Sequence, residues 1–235
     1  MRIAAVADLH ARADDAERLA KTFEGVDDEA DVLVLPGDLT DHGRPEEAEA
    51  LLAALDGVEI PIVAVFGNHD HEFGALDDVV RMLEGRGVKL VDRASAVVDG
   101  VGFAGAKGFA GGFAERVVRA FGETPLKAFV AESVIEADAL RNALRALGTR
   151  KRVAVLHYAP VQATLDGEPL EIVPFLGTSR LGAAIDEAGC ELALHGHAHG
   201  GAFSGATPGG VPVYNVSKPV LERSGLERGY AVFTV

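Results

Sequence analysis

Hydrophobic positions in this chain cluster into continuous runs of strand length, and the stretches between them carry a helical period. Ile3 to Ala7, Val32 to Leu35 and Ile62 to Phe66 are apolar runs of strand length, closed by polar residues, proline or glycine. Between the first two, Leu19, Ala20 and Phe23 share one helical face. After the second, Pro45 stands in the first-turn position that tolerates proline, and Ala48, Leu51, Leu52 and Leu55 form the apolar face of a helix. A further helix is predicted over about Leu76 to Leu83, ending at Gly85. The order β-α-β-α-β-α predicts parallel strands joined by right-handed crossovers.

The rhythm then changes. Val88 to Val91, Ala96 to Val98 and Val101 to Ala104 read as short strands, with Asp99-Gly100 as a hairpin turn between the last two. The glycine- and phenylalanine-rich stretch from Gly102 to Phe113 reads as a loop after the strand. A helix over roughly Ser133 to Leu147 turns Ile135, Ala139, Leu140, Ala143 and Leu144 to the core and leads into the strand Val153 to Leu156. A helix over about Leu181 to Ala188 precedes the strand Leu192 to Leu194. Val211 to Val216 and Tyr230 to Val235 close the chain as strands. Gly205 to Gly210 is short enough for a hairpin connection, and no low-complexity linker, repeat or charge block divides the sequence. A single domain over residues 1–235 is expected.

Composition narrows the function. The 235 residues are 48% hydrophobic, enough for a sizeable core, and carry 22 Lys and Arg against 36 Asp and Glu, a formal charge of −14. That balance argues against a surface that tracks long nucleic acid, since such surfaces neutralise phosphates with basic side chains. Cys190 is the single cysteine, which excludes a disulfide framework within the chain and a cysteine-based metal site, and it reads as a buried, inert thiol. The N-terminal apolar stretch is broken by Asp8, too early for a signal peptide or a membrane span. The expected location is the cytoplasm.

The candidate chemistry lies where the strands end. Ile3–Ala7 runs into Asp8 and His10, and Val32–Leu35 into Asp38. Ile62–Phe66 runs into Asn68 and His69, Val153–Leu156 into His157, and Leu192–Leu194 into His197 and His199. Open α/β sheets bind ligands at the carboxyl ends of their strands. All eight histidines fall in or near these motifs. Carboxylate, amide and imidazole donors without thiolate suit Mn²⁺, Fe²⁺/Fe³⁺ or Zn²⁺. Seven ligands are too many for one catalytic ion with an open position. They fit two ions sharing a carboxylate, about 3.5–4 Å apart, a device that clamps the attacking and leaving oxygens of an in-line displacement. Hydrolysis of a phosphate ester is the natural reaction.

The set Asp8-x-His10, Gly37-Asp38, Gly67-Asn68-His69-Asp70, His157 and Gly196-His197-x-His199 resembles the calcineurin-like metallophosphoesterases, in order and across nearly the whole chain. The resemblance implies a sandwich of two mixed sheets flanked by helices, an αββα fold. It implies that Asp8, His10 and His199 hold one metal, that Asn68, His157 and His197 hold a second, and that Asp38 bridges both. His69, too far away to ligate, would protonate the leaving alkoxide, Asp41 would hydrogen-bond that histidine, and a hydroxide bridging the two cations would be the nucleophile. Asp70 is read as holding the turn, and His42, His71 and His195 as lying behind the ligands or at the rim. Gly37, Gly67 and Gly196 allow close approach or positive φ, or are plain turn residues. The implied substrate is a small soluble phosphate ester, a phosphodiester in preference to a monoester. A nuclease on the same site and a non-catalytic scaffold on the same fold are the rivals, and the sequence does not set the oligomeric state.

Overall fold

In the computed structural model, which describes residues 1–226 and 228–235, two mixed sheets pack face to face with helices outside them. The first sheet holds β1 (Arg2–Ala5), β2 (Val32–Pro36), β3 (Ile62–Val65) and β4 (Lys89–Leu90) in parallel, with β11 (Ala231–Thr234) antiparallel beside β1. The second is built from β5 (Ser95–Val98), β6 (Val101–Ala106), β7 (Lys151–Leu156), β8 (Leu192–His195), β9 (Ser204–Ala206) and β10 (Pro212–Asn215), in the order β5-β6-β7-β8-β10-β9. Its inner pairs are parallel and its two outer pairs antiparallel. This is the αββα sandwich expected from the motifs.

On the first sheet's side, α1 (Ala16–Ala20) and α4 (Leu76–Gly85) both pack against α3 (Pro45–Ala54), and a single turn, α2 (Val26–Glu29), precedes β2. On the other side α5 (Thr124–Ala146) packs on β6 and on α6 (Ser179–Ala188). A last short helix, α7 (Lys218–Arg223), follows β10.

Alternation along the second sheet divides the core. Phe103, Val153, Val155, Leu192 and Leu194 point between the sheets, and Ala104, Ala106, Ala154, Leu156 and Ala193 point at α5 and α6. Both faces are dry, so these strands read as unbroken apolar runs. Each large aliphatic side chain removed from water contributes about 1.5–3 kcal/mol. Small alanines on the outer face let α5 and α6 approach closely.

Three features differ from the sequence reading. Helix α5 begins at Thr124, with Pro125 in its first turn. Its buried face holds Leu140, Ala143 and Leu144 as expected and continues through Ala137, Glu136 and Ser133, whereas Ile135 is exposed. Glu136 is held in that face by hydrogen bonds it accepts from Arg93 Nε (3.1 Å) and Gly108 N (2.9 Å). The edge strand β9, Ser-Gly-Ala, has no hydrophobic signature, and Gly205 lies inside it rather than in the turn. The helix α7 was likewise not foreseen. Cys190 is buried, and burial pushes its thiol up to about 12, as suits an inert sulfur.

Candidate metal centre

The carboxyl ends of β1, β2 and β3 meet those of β7 and β8, and the polar strand-end residues converge there. Backbone strain marks the place. Asp8 (φ 59°), His10 (φ 44°), Asp38 (φ 48°) and His197 (φ 69°) all adopt left-handed backbone without being glycine. Such conformations cost about 1–3 kcal/mol each and persist where surrounding contacts enforce them. Those contacts are visible: Asp8 N donates to Gly37 O (3.1 Å), His10 N to Asp38 O (3.0 Å), and His197 N to the Asp8 carboxylate (3.0 Å).

Three overlapping groups of ligand atoms result. Asp8, His10 and His199 form one, and Asp38, His157 and His197 another, the atoms within each lying inside 4.8 Å of one another. His10, Asp38 and His69 form a third that joins the first two. Asp38 therefore belongs to clusters on both sides. Asn68 joins the His157 side, with Oδ1 3.0 Å from His157 Nε2. Distance alone thus does not set His69 apart from the ligands. Its Nδ1 donates to the Asp41 carbonyl at 2.7 Å, which leaves Nε2 as the nitrogen facing the centre.

The expected hydrogen bond between Asp41 and His69 is made by the Asp41 backbone and not by its carboxylate. The backbone carbonyl of Asp41 orients His69, and its carboxylate points elsewhere. It takes Arg12 Nε at 2.8 Å and lies 3.7 Å from His10 Nδ1 and 3.5 Å from His42 Nδ1.

Electrostatics show a demand for cations. Burial opposes ionisation of Asp38, but His157 beside it (3.3 Å) outweighs burial and holds its carboxyl far below the usual range. Burial likewise opposes the His157 imidazolium, and Asp38 overrides this, pushing it up to about 9. His157 Nδ1 donates to the Pro36 carbonyl (3.1 Å), which aims Nε2 at Asp38 and Asn68. A proton on Nε2 sits where a metal cation would replace it. Burial pulls His197 down to about 3, so its ring is a neutral donor, and it also lowers His10. His10 gives the clearest sign of fit: both ring nitrogens are buried and neither has a hydrogen-bond partner among the described residues. Buried polar atoms are nearly always paired, and a metal ligand is the exception that needs no hydrogen bond. His199 hydrogen-bonds Asp8 through Nε2 (3.0 Å), which raises its affinity for protons. The donors fit two cations.

A supporting layer surrounds these groups. Asp70 is fully buried and accepts from Gly67 N (2.8 Å), Thr40 N (2.8 Å) and Thr40 Oγ1 (2.6 Å), tying the loop after β2 to the loop after β3. Burial, helped by the charge of Asp38, pushes Asp70 up to about 6. His195 is buried behind the ligands, with Nδ1 2.8 Å from Gly196 O and Nε2 2.8 Å from Thr164 Oγ1. His42 sits at the rim on Glu47 (3.2 Å), and His71 is exposed. Tyr158 packs on His197 with its ring tilted by 43°, ring centroids 4.2 Å apart. Of the three motif glycines, Gly37 has positive φ (+85°), whereas Gly67 and Gly196 are there for close approach to Asp38 and Asp8. Arg12, Thr164 and Glu47 were not singled out by the sequence. Two residues beyond His10, Arg12 carries no motif signal, and its role depends on the loop that brings Asp41 to it.

One carboxylate shared by two imidazole-bearing clusters, at the edge where two mixed sheets meet, places the chain in the metal-dependent phosphoesterase superfamily. The family is more specific: residues 1–201 match the model of the calcineurin-like phosphoesterases, and the chain belongs to that family. Its fold is similar to that of phosphopantetheinyl hydrolase from Mycobacterium tuberculosis, with a TM-score of 0.71 at 16% identity over 98% of this chain and 95% of that one. A putative 5′-nucleotidase from Staphylococcus aureus is also similar, with a TM-score of 0.55 at 14% identity over 91% of this chain and 48% of that one. So is a hypothetical protein from Thermus thermophilus, with a TM-score of 0.51 at 15% identity over 92% and 75% of the two chains. No curated protein matches the sequence. Among the described residues no helix is long and apolar enough to cross a membrane.

Proposed function

We propose that residues 1–235 form one cytoplasmic metallophosphoesterase domain that hydrolyses a small soluble phosphate ester, a phosphodiester in preference to a monoester. The observation that carries this reading is Asp38, whose carboxylate lies in ligand clusters on both sides of the centre. In the proposed assignment Asp8, His10 and His199 hold one cation, Asn68, His157 and His197 hold the other, and Asp38 holds both. The donor set suits Mn²⁺, Fe²⁺/Fe³⁺ or Zn²⁺. When bound, the cations supply Lewis acidity, lowering the pKa of water and drawing charge from phosphate oxygens.

His69 is the proposed general acid. Its Nδ1 is fixed on the Asp41 carbonyl, so Nε2 is the nitrogen free to give a proton to the departing alkoxide. The acidic balance of the chain, −14, supports a small substrate over a long polyanion. Preference for a diester rests on the resemblance of Asp8-x-His10, Gly67-Asn68-His69-Asp70 and Gly196-His197-x-His199 to the cyclic-nucleotide phosphodiesterase branch of the family.

The test is to strip the protein of metal, restore Mn²⁺, and assay p-nitrophenyl phosphate beside bis(p-nitrophenyl) phosphate. Turnover with two bound ions per chain is expected, faster for the diester. No turnover of either ester with two ions bound would favour a non-catalytic scaffold. A panel of mononucleotides, cyclic nucleotides and phosphopantetheinyl esters then narrows the substrate.

A further inference from the structure

A cavity of about 380 Å³ opens beside the metal centre and shares Asp8 and His10 with it. Small-molecule sites span roughly 300–1,000 Å³, so this one has room for part of a substrate. Leu9 and Pro219 give it an apolar patch, and three cations, Arg12, Arg18 and Lys218, line it together with the carboxylates of Asp15 and Glu222. Two of the cations are already matched. Arg18 donates through Nε (3.0 Å) and Nη2 (2.6 Å) to Asp15, and Lys218 donates to Glu222 at 2.6 Å.

Arg12 is different. Only its Nε is engaged, with Asp41 Oδ2 at 2.8 Å, and neither Nη group donates to a partner among the described residues. The Asp41 carboxylate that fixes Arg12 also lies 3.7 Å from His10 Nδ1. The guanidinium is therefore anchored next to the metal centre by one nitrogen and leaves its outer donors free at the cavity. A planar donor pair held in this way matches the oxygens of a phosphate or carboxylate, as a flexible ammonium does not.

We propose that Arg12 and this cavity form a subsite for a second anionic group of the substrate, a phosphate or carboxylate carried on the organic part of the ester. The inference rests on the phosphoesterase reading of the centre, where the scissile phosphate sits. All three cations are paired with carboxylates, but Arg12, held by Asp41 through Nε alone, is the one that presents a planar pair of Nη donors, so selectivity falls to it. The favoured substrate is a doubly anionic ester.

Two p-nitrophenyl phosphodiesters test this: one with an ethyl group as its second substituent, the other with a 2-carboxyethyl group. They share a leaving group and a scissile phosphorus. The Mn²⁺-loaded protein should give a kcat/KM about tenfold higher for the carboxyethyl ester, the effect of a charged hydrogen bond. In Arg12→Gln that preference should vanish. The readout is a ratio within one sample, so a partly unfolded variant lowers both rates and leaves the ratio intact. Equal rates in the wild type, or a preference that survives Arg12→Gln, would overturn the subsite. If neither ester turns over, the diester reading has failed, p-nitrophenyl phosphate shows whether the phosphoesterase reading fails with it, and calorimetry addresses the subsite alone. 3-Phosphonopropionate should then bind the metal-loaded wild type about tenfold tighter than propylphosphonate, with the advantage absent in Arg12→Gln. Equal binding of the two phosphonates overturns it.

Discussion

Gly67 lies directly against Asp38: a Cβ at position 67 would stand 2.8 Å from Asp38 Cγ and closer still to its Oδ1 and backbone nitrogen. Neither Asp38 nor the loop after β3 has room to give way, because Asp70 fixes both loops with its buried hydrogen bonds. Gly67→Ala should displace Asp38, lower stability by about 1–3 kcal/mol, and cost the protein bound metal at both positions. Gly57, with open space around it, is the control: Gly57→Ala should stay within about 0.5 kcal/mol of wild type. Metal analysis and thermal melting of the two variants separate a site effect from a general loss of stability.

Asp41 and His69 are joined through a backbone carbonyl, so the side chain of Asp41 is not what aims the histidine. His69→Ala should retain both metals and lose about 10²–10⁴-fold in rate on alkyl esters, with a smaller loss on p-nitrophenyl esters, whose leaving group needs little protonation. Asp41→Asn should keep the leaving-group dependence of wild type, because the carbonyl remains. Rates measured across a series of leaving groups check both. An Asp41→Asn enzyme with the steepened leaving-group response of His69→Ala would show that the carboxylate matters after all.

How far the sequence foretold this depends on what each residue's signal reflects. Strands β1 to β3 and β6 to β8 were legible because both faces are buried, which leaves runs of Val, Leu, Ile and Ala that nothing else explains. The carboxylate, amide and histidine groups were legible because they follow those runs directly. What could not be read was which strand neighbours which: β11 closes the first sheet against β1 from the far end of the chain, and β9 is three residues of Ser, Gly and Ala. Glu136 was missed in the buried face of α5 because periodicity treats a glutamate as solvent-facing, and only the fold brings Arg93 to it. The same holds at the centre, where the partner of His69 is a backbone atom, which no residue type announces.

Glu136 offers a direct check on that buried charge. It is 1% exposed, and it ties Arg93 and the Gly108 amide to α5. The neighbouring peptide matters to the site, since the Lys107 carbonyl accepts from the backbone nitrogens of His157 (3.1 Å) and Tyr158 (3.0 Å). Glu136→Ala leaves the Gly108 donor without its acceptor and should cost about 2 kcal/mol. Urea denaturation of wild type, Glu136→Ala and Glu136→Gln measures it. The glutamine variant retains an acceptor for Gly108 and should recover part of the loss; no difference between the two variants would mean the amide contact contributes nothing.

His195 gives the chain a pH-dependent term that can be isolated. Burial penalises its imidazolium and pulls it from 6.5 down to about 4, while the unfolded chain keeps the ordinary value. Between those values the unfolded state binds the proton and the folded state does not, so protonation favours unfolding. Stability is therefore intact above pH about 6.5, falls as pH drops, and stops falling below pH about 4, for a loss of roughly 3 kcal/mol. Asp70, pushed up to about 6, works in the opposite direction over part of this range. Comparing wild type with His195→Gln, both stripped of metal, cancels that contribution because both proteins retain Asp70. Whatever glutamine costs in packing near neutrality, the stability advantage of wild type over the variant should shrink steadily from pH about 6.5 to about 4 in urea titrations. A difference that stays constant across that range would mean His195 takes up a proton as readily folded as unfolded, contrary to its buried position between Gly196 O and Thr164 Oγ1.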